Sequence, residues 1–139
     1  NLIHEFLDLM QRFGVDYTLV MRELCRAVKT SFDITELSDK FSNSVEFDDW
    51  IVRWGDRLRL EAIDPNEIIR VMESVNPVFI PRNHLIEKVI VSAVNDNDFQ
   101  LFQDLLLVLS NPFENNENFE VFKLPPKSNE IVHQTYCGT

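Results

Sequence analysis

The sequence predicts an all-α protein: a helical bundle of about five to six helices followed by an extended C-terminal tail. Three observations carry this. Apolar residues recur at three- and four-residue spacing from Leu2 to Leu109, the period of a helix with one buried face. Only 3 of the 139 residues are glycine, which argues against a loop-rich or β-barrel design. After Phe113 the periodicity stops, so the expected boundaries are a helical subdomain over 1–113 and a tail over 114–139.

Each helix is legible in turn. Leu2, Ile3, Phe6, Leu7, Leu9, Met10 and Phe13 form one stripe, and Gly14 is placed to end it. Leu19, Val20, Leu24, Cys25 and Val28 line a second helix, and a short third one is expected from Thr35 to Phe41. Phe47, Trp50, Ile51, Trp54 and Leu58 share a face, with Arg53, Arg57 and Arg59 largely off it. Asp64-Pro65-Asn66-Glu67 reads as a helix start, with Asp64 as N-cap, Pro65 in the first turn and Glu67 at the capping-box position. Ile68, Ile69, Met72 and Val75 are its inward face, and Asn76-Pro77 ends it because proline disfavours helical geometry at the preceding residue. Another helix opens near Pro81, with Leu85, Ile86, Val89, Ile90 and Ala93 inward. Asn95-Asp96-Asn97 is a short turn, and Phe99, Leu101, Phe102, Leu105, Leu106 and Leu109 line the last helix. Two helices joined by so short a connection form an αα-hairpin. Asn111-Pro112 stops it. The tail is polar at Asn115–Asn118 and rigid at Pro125-Pro126, with a β-like stretch expected at Phe119–Phe122. Its content of Phe119, Phe122, Ile131 and Tyr136 predicts that it lies across a surface, either of this chain or of a part outside it.

Composition narrows the function. With 45% hydrophobic and 26% charged residues the chain is long enough to bury a real core. A net charge of −10 without a basic patch argues against nucleic-acid binding. No apolar run approaches a membrane span, and no secretory signal opens the chain. Cys25 and Cys137 form neither a CxxC pair nor a disulfide framework, which fits a reducing compartment, and a cytoplasmic location is expected. Asn1 begins inside an apolar pattern already under way, as in a segment of a longer chain.

The candidate chemical residues each have a plain alternative. His4, Glu5 and Asp8 occupy helical spacing, but HEFLD is not the HExxH zinc motif, and a helix-start role competes. Glu46, Asp48 and Asp49 cluster where carboxylates complement a helix dipole, against a metal-binding reading. Trp50 and Trp54 have the spacing of core partners, although indoles also stack on bases or sugars. Arg82-Asn83 at a helix start offers an anion site or, alternatively, partners for neighbouring backbone groups. Cys25 sits on an apolar stripe, where a thiol behaves as a small inert hydrophobe. Cys137 sits behind the Pro-Pro segment near the C-terminus, where a thiol is accessible to oxidation. No Gly-rich phosphate loop, Walker lysine or GxSxG elbow occurs. The sequence therefore nominates no catalytic, cofactor-binding or metal-binding residue.

The ordered segments Val15-Asp16-Tyr17-Thr18, Phe47-Asp48-Asp49-Trp50, Met72-Glu73-Ser74-Val75-Asn76-Pro77 and Arg82-Asn83 resemble the C-terminal third of the selenoprotein O (YdiU) family. The similarity continues through Asp98, Asn111-Pro112-Phe113, Pro125-Pro126 and the cysteine third from the end. The resemblance implies a parent enzyme with a protein-kinase-like fold. Such an enzyme moves AMP from ATP onto hydroxyl side chains of protein substrates, using a divalent metal such as magnesium or manganese. The family's nucleotide- and metal-binding residues lie upstream of the matched region, so none maps onto this sequence. It also implies that Cys137 occupies the place of a redox cysteine or selenocysteine, here without a partner cysteine three residues earlier, so that any redox pair reaches elsewhere. The partners implied are the upstream kinase-like catalytic domain of the same chain and the parent's protein substrates, with no nucleic acid and no membrane. The competing reading is a stand-alone helical protein-interaction module without a catalytic link.

Overall fold

The computed structural model describes residues 1–135, and every regular element in them is helical. There are seven α-helices and two 3-10 helices, with no strand among the described residues. The short helix expected over Thr35–Phe41 is present as Thr35–Lys40, and the count exceeds the expected five to six. The tail also coils: Glu117–Lys123 and Ser128–Glu130 are 3-10 helices, so the β-like stretch expected at Phe119–Phe122 is not formed. The chain divides into two compact units, residues 1–76 and 77–139.

The first unit contains α1 (Leu2–Phe13), α2 (Tyr17–Lys29), α3 (Thr35–Lys40), α4 (Val45–Leu60) and α5 (Pro65–Val75). Short polar side chains start most of these helices by accepting backbone N–H groups that lack intrahelical partners. Asp16 accepts from Leu19 at 2.9 Å, Ser44 from Phe47 at 3.2 Å and Asp64 from Asn66 at 2.7 Å. Gly14 ends α1 in the left-handed region at φ 61°, where a Cβ would be strained. Glu67 does not close the expected capping box. It turns instead to Arg70, with contacts of 2.8 and 2.5 Å, and that guanidinium holds its carboxyl below the usual range.

α1 packs on α4, and α2 packs on α5 and α3. Their shared core is aromatic. The Phe41 and Phe47 rings stack with centroids 4.1 Å apart, and Phe6 stacks on Trp50 at 4.2 Å. The Trp50 indole N–H donates to the Leu2 carbonyl at 2.8 Å, which satisfies the one polar atom that burial would otherwise strand. Trp50 is buried as expected, whereas Trp54 is only partly buried against the same cluster. α5 is less buried than its pattern implies. None of its residues is fully buried, and Val75 is exposed. It is held at its end by α2, where the Arg22 guanidinium donates to the carbonyls of Glu73 (3.3 Å) and Asn76 (3.1 Å). A cation placed there also complements the negative end of the helix dipole.

The second unit contains α6 (Asn83–Asn95), α7 (Gln100–Ser110) and the two 3-10 helices. α6 and α7 pack together across a four-residue connection, the expected hairpin. Val78, Phe79, Leu85, Leu105, Val108 and Phe122 form the core. The Val78 and Phe79 N–H groups both donate to the Pro112 carbonyl, at 2.7 and 3.1 Å, tying the entry of the unit to the end of α7. Phe122 thus lies across a surface as expected, and that surface is this unit's own helices.

Candidate functional site

The residues singled out by sequence do not converge on one site. Glu5 reaches the Arg53 guanidinium of α4 at 2.6 Å, which lowers its pKa, and His4 is exposed beside it. Asp48 accepts from the Ser38 hydroxyl at 3.2 Å, Asp49 from Arg53 at 3.0 Å, and Glu46 lies 3.7 Å from Arg12. These carboxylates thus serve helix–helix and intrahelical contacts. Among the described residues no group of three or more His, Cys, Asp or Glu is placed to hold a metal ion. Arg82 is buried, and its carbonyl accepts the N–H groups of Leu85 (3.0 Å) and Ile86 (3.1 Å), so it opens α6 through its backbone. Cys25 is buried, its thiol 3.2 Å from the Met21 carbonyl, and burial pushes its pKa up, leaving it protonated and unreactive near neutral pH. Cys137 lies outside the described residues.

Two surface features of the second unit bear on function. The first is a polar cleft of about 410 Å³ between α6 and the tail, lined by His84, Lys88, Ser92, Asn129 and Glu130 among others. The Lys88 ammonium contacts the Glu130 carboxylate at 2.6 Å, and the Lys127 N–H donates to the same carboxylate at 2.9 Å. Together, Lys88 foremost, they pull the Glu130 pKa down to about 2. Burial lowers the pKa of His84, so its ring is neutral at pH 7. With the ion pair spent internally, the cleft is a latch that holds the tail to α6. Sequence gave no sign of it, since Lys88 and Glu130 are 42 residues apart and share no periodic relation.

The second feature is a groove of about 430 Å³ on the hairpin face, lined only by apolar residues, among them Ile86, Val89, Ile90 and Val94 of α6 and Phe102 of α7. Here the structure departs from the sequence reading. Ile86, Ile90, Phe99, Phe102 and Leu106 were expected inward, but the stripe is wider than the core beneath it. Ile90 is 48% exposed, Phe102 48%, Leu106 55% and Val94 76%. Isolated exposed apolar residues are ordinary, but a contiguous run of large ones marks a contact surface.

The described residues define a class: an all-helical protein whose second unit leaves an apolar face open. The chain belongs to the protein adenylyltransferase SelO family, whose sequence profile matches residues 1–110. It is 40% identical over 139 residues to a "Protein nucleotidyltransferase YdiU" of Rhodopseudomonas palustris, and 39% identical over 139 residues to the one of Rhizobium meliloti. A third, from Bradyrhizobium diazoefficiens, is 38% identical over 138 residues. The matches cover 99–100% of this chain but 28% of the relatives' length. No solved structure matches.

Proposed function

We propose that this chain is the C-terminal helical part of a SelO-type protein adenylyltransferase and supports that enzyme's kinase-like catalytic domain. The parent enzyme transfers AMP from ATP to Ser, Thr or Tyr hydroxyls of proteins, releasing pyrophosphate, with magnesium or manganese as cofactor. ATP and metal belong to the parent's other residues, since phosphoryl-type catalysis depends on positioning elements that this sequence lacks. In this reading the protein works in the cytoplasm, and Cys137 at the end of the tail is its redox-sensitive group. The observation that carries the reading is the open apolar face of α6–α7 in a chain that spans 28% of its relatives' length. Such a face is the expected counterpart of a missing partner surface.

A second reading, a stand-alone interaction module, is favoured by one observation: the tail seats Phe122 on this unit's own helices and needs no other domain to cover it. One experiment separates them. The full-length parent, a form truncated before this segment and the 139-residue chain are incubated with labelled ATP, magnesium or manganese, and a protein acceptor. The proposal expects metal-dependent AMP transfer by the full-length protein, a marked loss on truncation, and none by the isolated chain. Transfer by the chain alone, or full activity after truncation, overturns it.

A further inference from the structure

The cleft between α6 and the tail holds more than the latch. His84 is only 6% exposed, yet its ring lines the cleft. Neither ring nitrogen has a hydrogen-bond partner among the described residues, and neither is sealed from solvent, so the polar edge opens into the cavity. A buried polar group left in that state costs free energy, and a ligand that bonds to it removes the cost. The ring is neutral at pH 7 and offers one N–H donor and one lone pair.

The charges around it favour a cation. Lys88 and Glu130 neutralise each other at 2.6 Å. Glu87 and Asp96 also line the cleft and enter no ion pair among the described residues, which leaves two uncompensated carboxylates there. Asp96 is also the C-cap of α6, whose last turn has no basic residue. A carboxylate at the negative end of a helix dipole is unfavourable, and a bound cation reverses that. Arg82, the other cation whose field reaches His84, does not line the cleft. Glu87 and Asp96 stand about 13 Å apart along the helix axis. Between them Val91 and Ile131 supply apolar wall, and the volume of about 410 Å³ is that of a small molecule.

We propose that this cleft binds a linear aliphatic diamine or polyamine, with one ammonium between Glu87 and the His84 lone pair and the other at Asp96 beside the Ser92 hydroxyl. The aliphatic chain lies along Val91 and Ile131. The site does not depend on the adenylyltransferase reading, because every residue in it belongs to this chain's second unit.

The test titrates spermidine into the full-length protein by isothermal calorimetry in about 0.15 M salt, which screens diffuse attraction to a segment of net charge −10. The expected result is saturable binding, weakened about tenfold in Asp96→Asn and about fivefold in His84→Phe, which keeps a buried ring and deletes the lone pair. n-Butylamine, with a single ammonium, should bind at least about tenfold more weakly than spermidine. Glu114→Gln removes an exposed carboxylate outside the cleft and should change the affinity less than about twofold. Circular dichroism checks that each variant is folded. Asp96 is exposed, so its variant keeps the test open if His84→Phe does not fold. Four results overturn the proposal: no binding, equal affinity for n-butylamine, undiminished binding by Asp96→Asn or folded His84→Phe, or a loss in Glu114→Gln as large as in Asp96→Asn.

Discussion

Replacing Trp50 by alanine is the sharpest probe of the first unit. Trp50 is 3% exposed, stacks on Phe6 at 4.2 Å and donates its indole N–H to Leu2 at 2.8 Å. Removing a large buried aromatic costs roughly 3–5 kcal/mol through lost transfer energy and the cavity left behind. Trp54, about one turn further along α4, stacks on Trp50 at 5.8 Å but is only partly buried. Its truncation should cost about half as much, ~1.5–2.5 kcal/mol. Trp50→Phe keeps most ring contacts while deleting the hydrogen bond, an intermediate loss of roughly 1–2 kcal/mol. Both tryptophans of the chain lie in α4, so urea unfolding followed by tryptophan fluorescence reports this unit directly, and each single variant keeps one reporter. The expected order of loss is Trp50→Ala, then Trp54→Ala, with a gap of about 1.5 kcal/mol or more. Equal losses, or less than about 1 kcal/mol for Trp50→Ala, would refute the placement of the indole.

Gly55→Ala should fail to give the ~1 kcal/mol that alanine normally gains over glycine inside a helix. Its Cβ would stand 3.0 Å from Cε1 and 3.3 Å from Cζ of Phe32, whose ring is boxed between Trp54 and Arg59; a higher unfolding midpoint would contradict this. The tail latch should be acid-sensitive. Glu130 has a folded pKa near 2 against 4.5 ordinarily, so its contribution is complete above pH 4.5 and lost as pH falls toward 2. A carboxyl titration by NMR should find this low midpoint and see it rise in Lys88→Met; a midpoint near 4.5 in the unaltered protein would dismiss the latch.

Most of the helices were legible because capping residues and stripes act locally. Asp64 lies two residues from the N–H it accepts, so cap and helix were read together; Asp16 and Ser44 cap over the same short range without having been singled out. Burial was less legible, because periodicity marks an apolar face but not how much of it finds a partner. α1 and α4 bury Phe6, Leu9, Phe47 and Trp50 against each other. α6 and α7 carry apolar residues over a wider face and leave Ile90, Val94 and Phe102 open. The Lys88–Glu130 latch was invisible for a different reason. Salt bridges between distant residues leave no spacing rule, and only the tail's fold brings these two together.

The Arg22 clamp on the end of α5 bears on the order in which the first unit assembles. Its guanidinium reaches carbonyls 51 and 54 residues along the chain. Closing a flexible loop of that length costs about 3.5 kcal/mol in chain entropy, plus a constant, before any contact compensates. The helices α3 and α4 and the rest of α2 shorten that loop as they form, so α5 is the element for which waiting is most favourable. The last helix to dock would then be the one whose departure begins unfolding, and Arg22 the residue that sets how often it leaves.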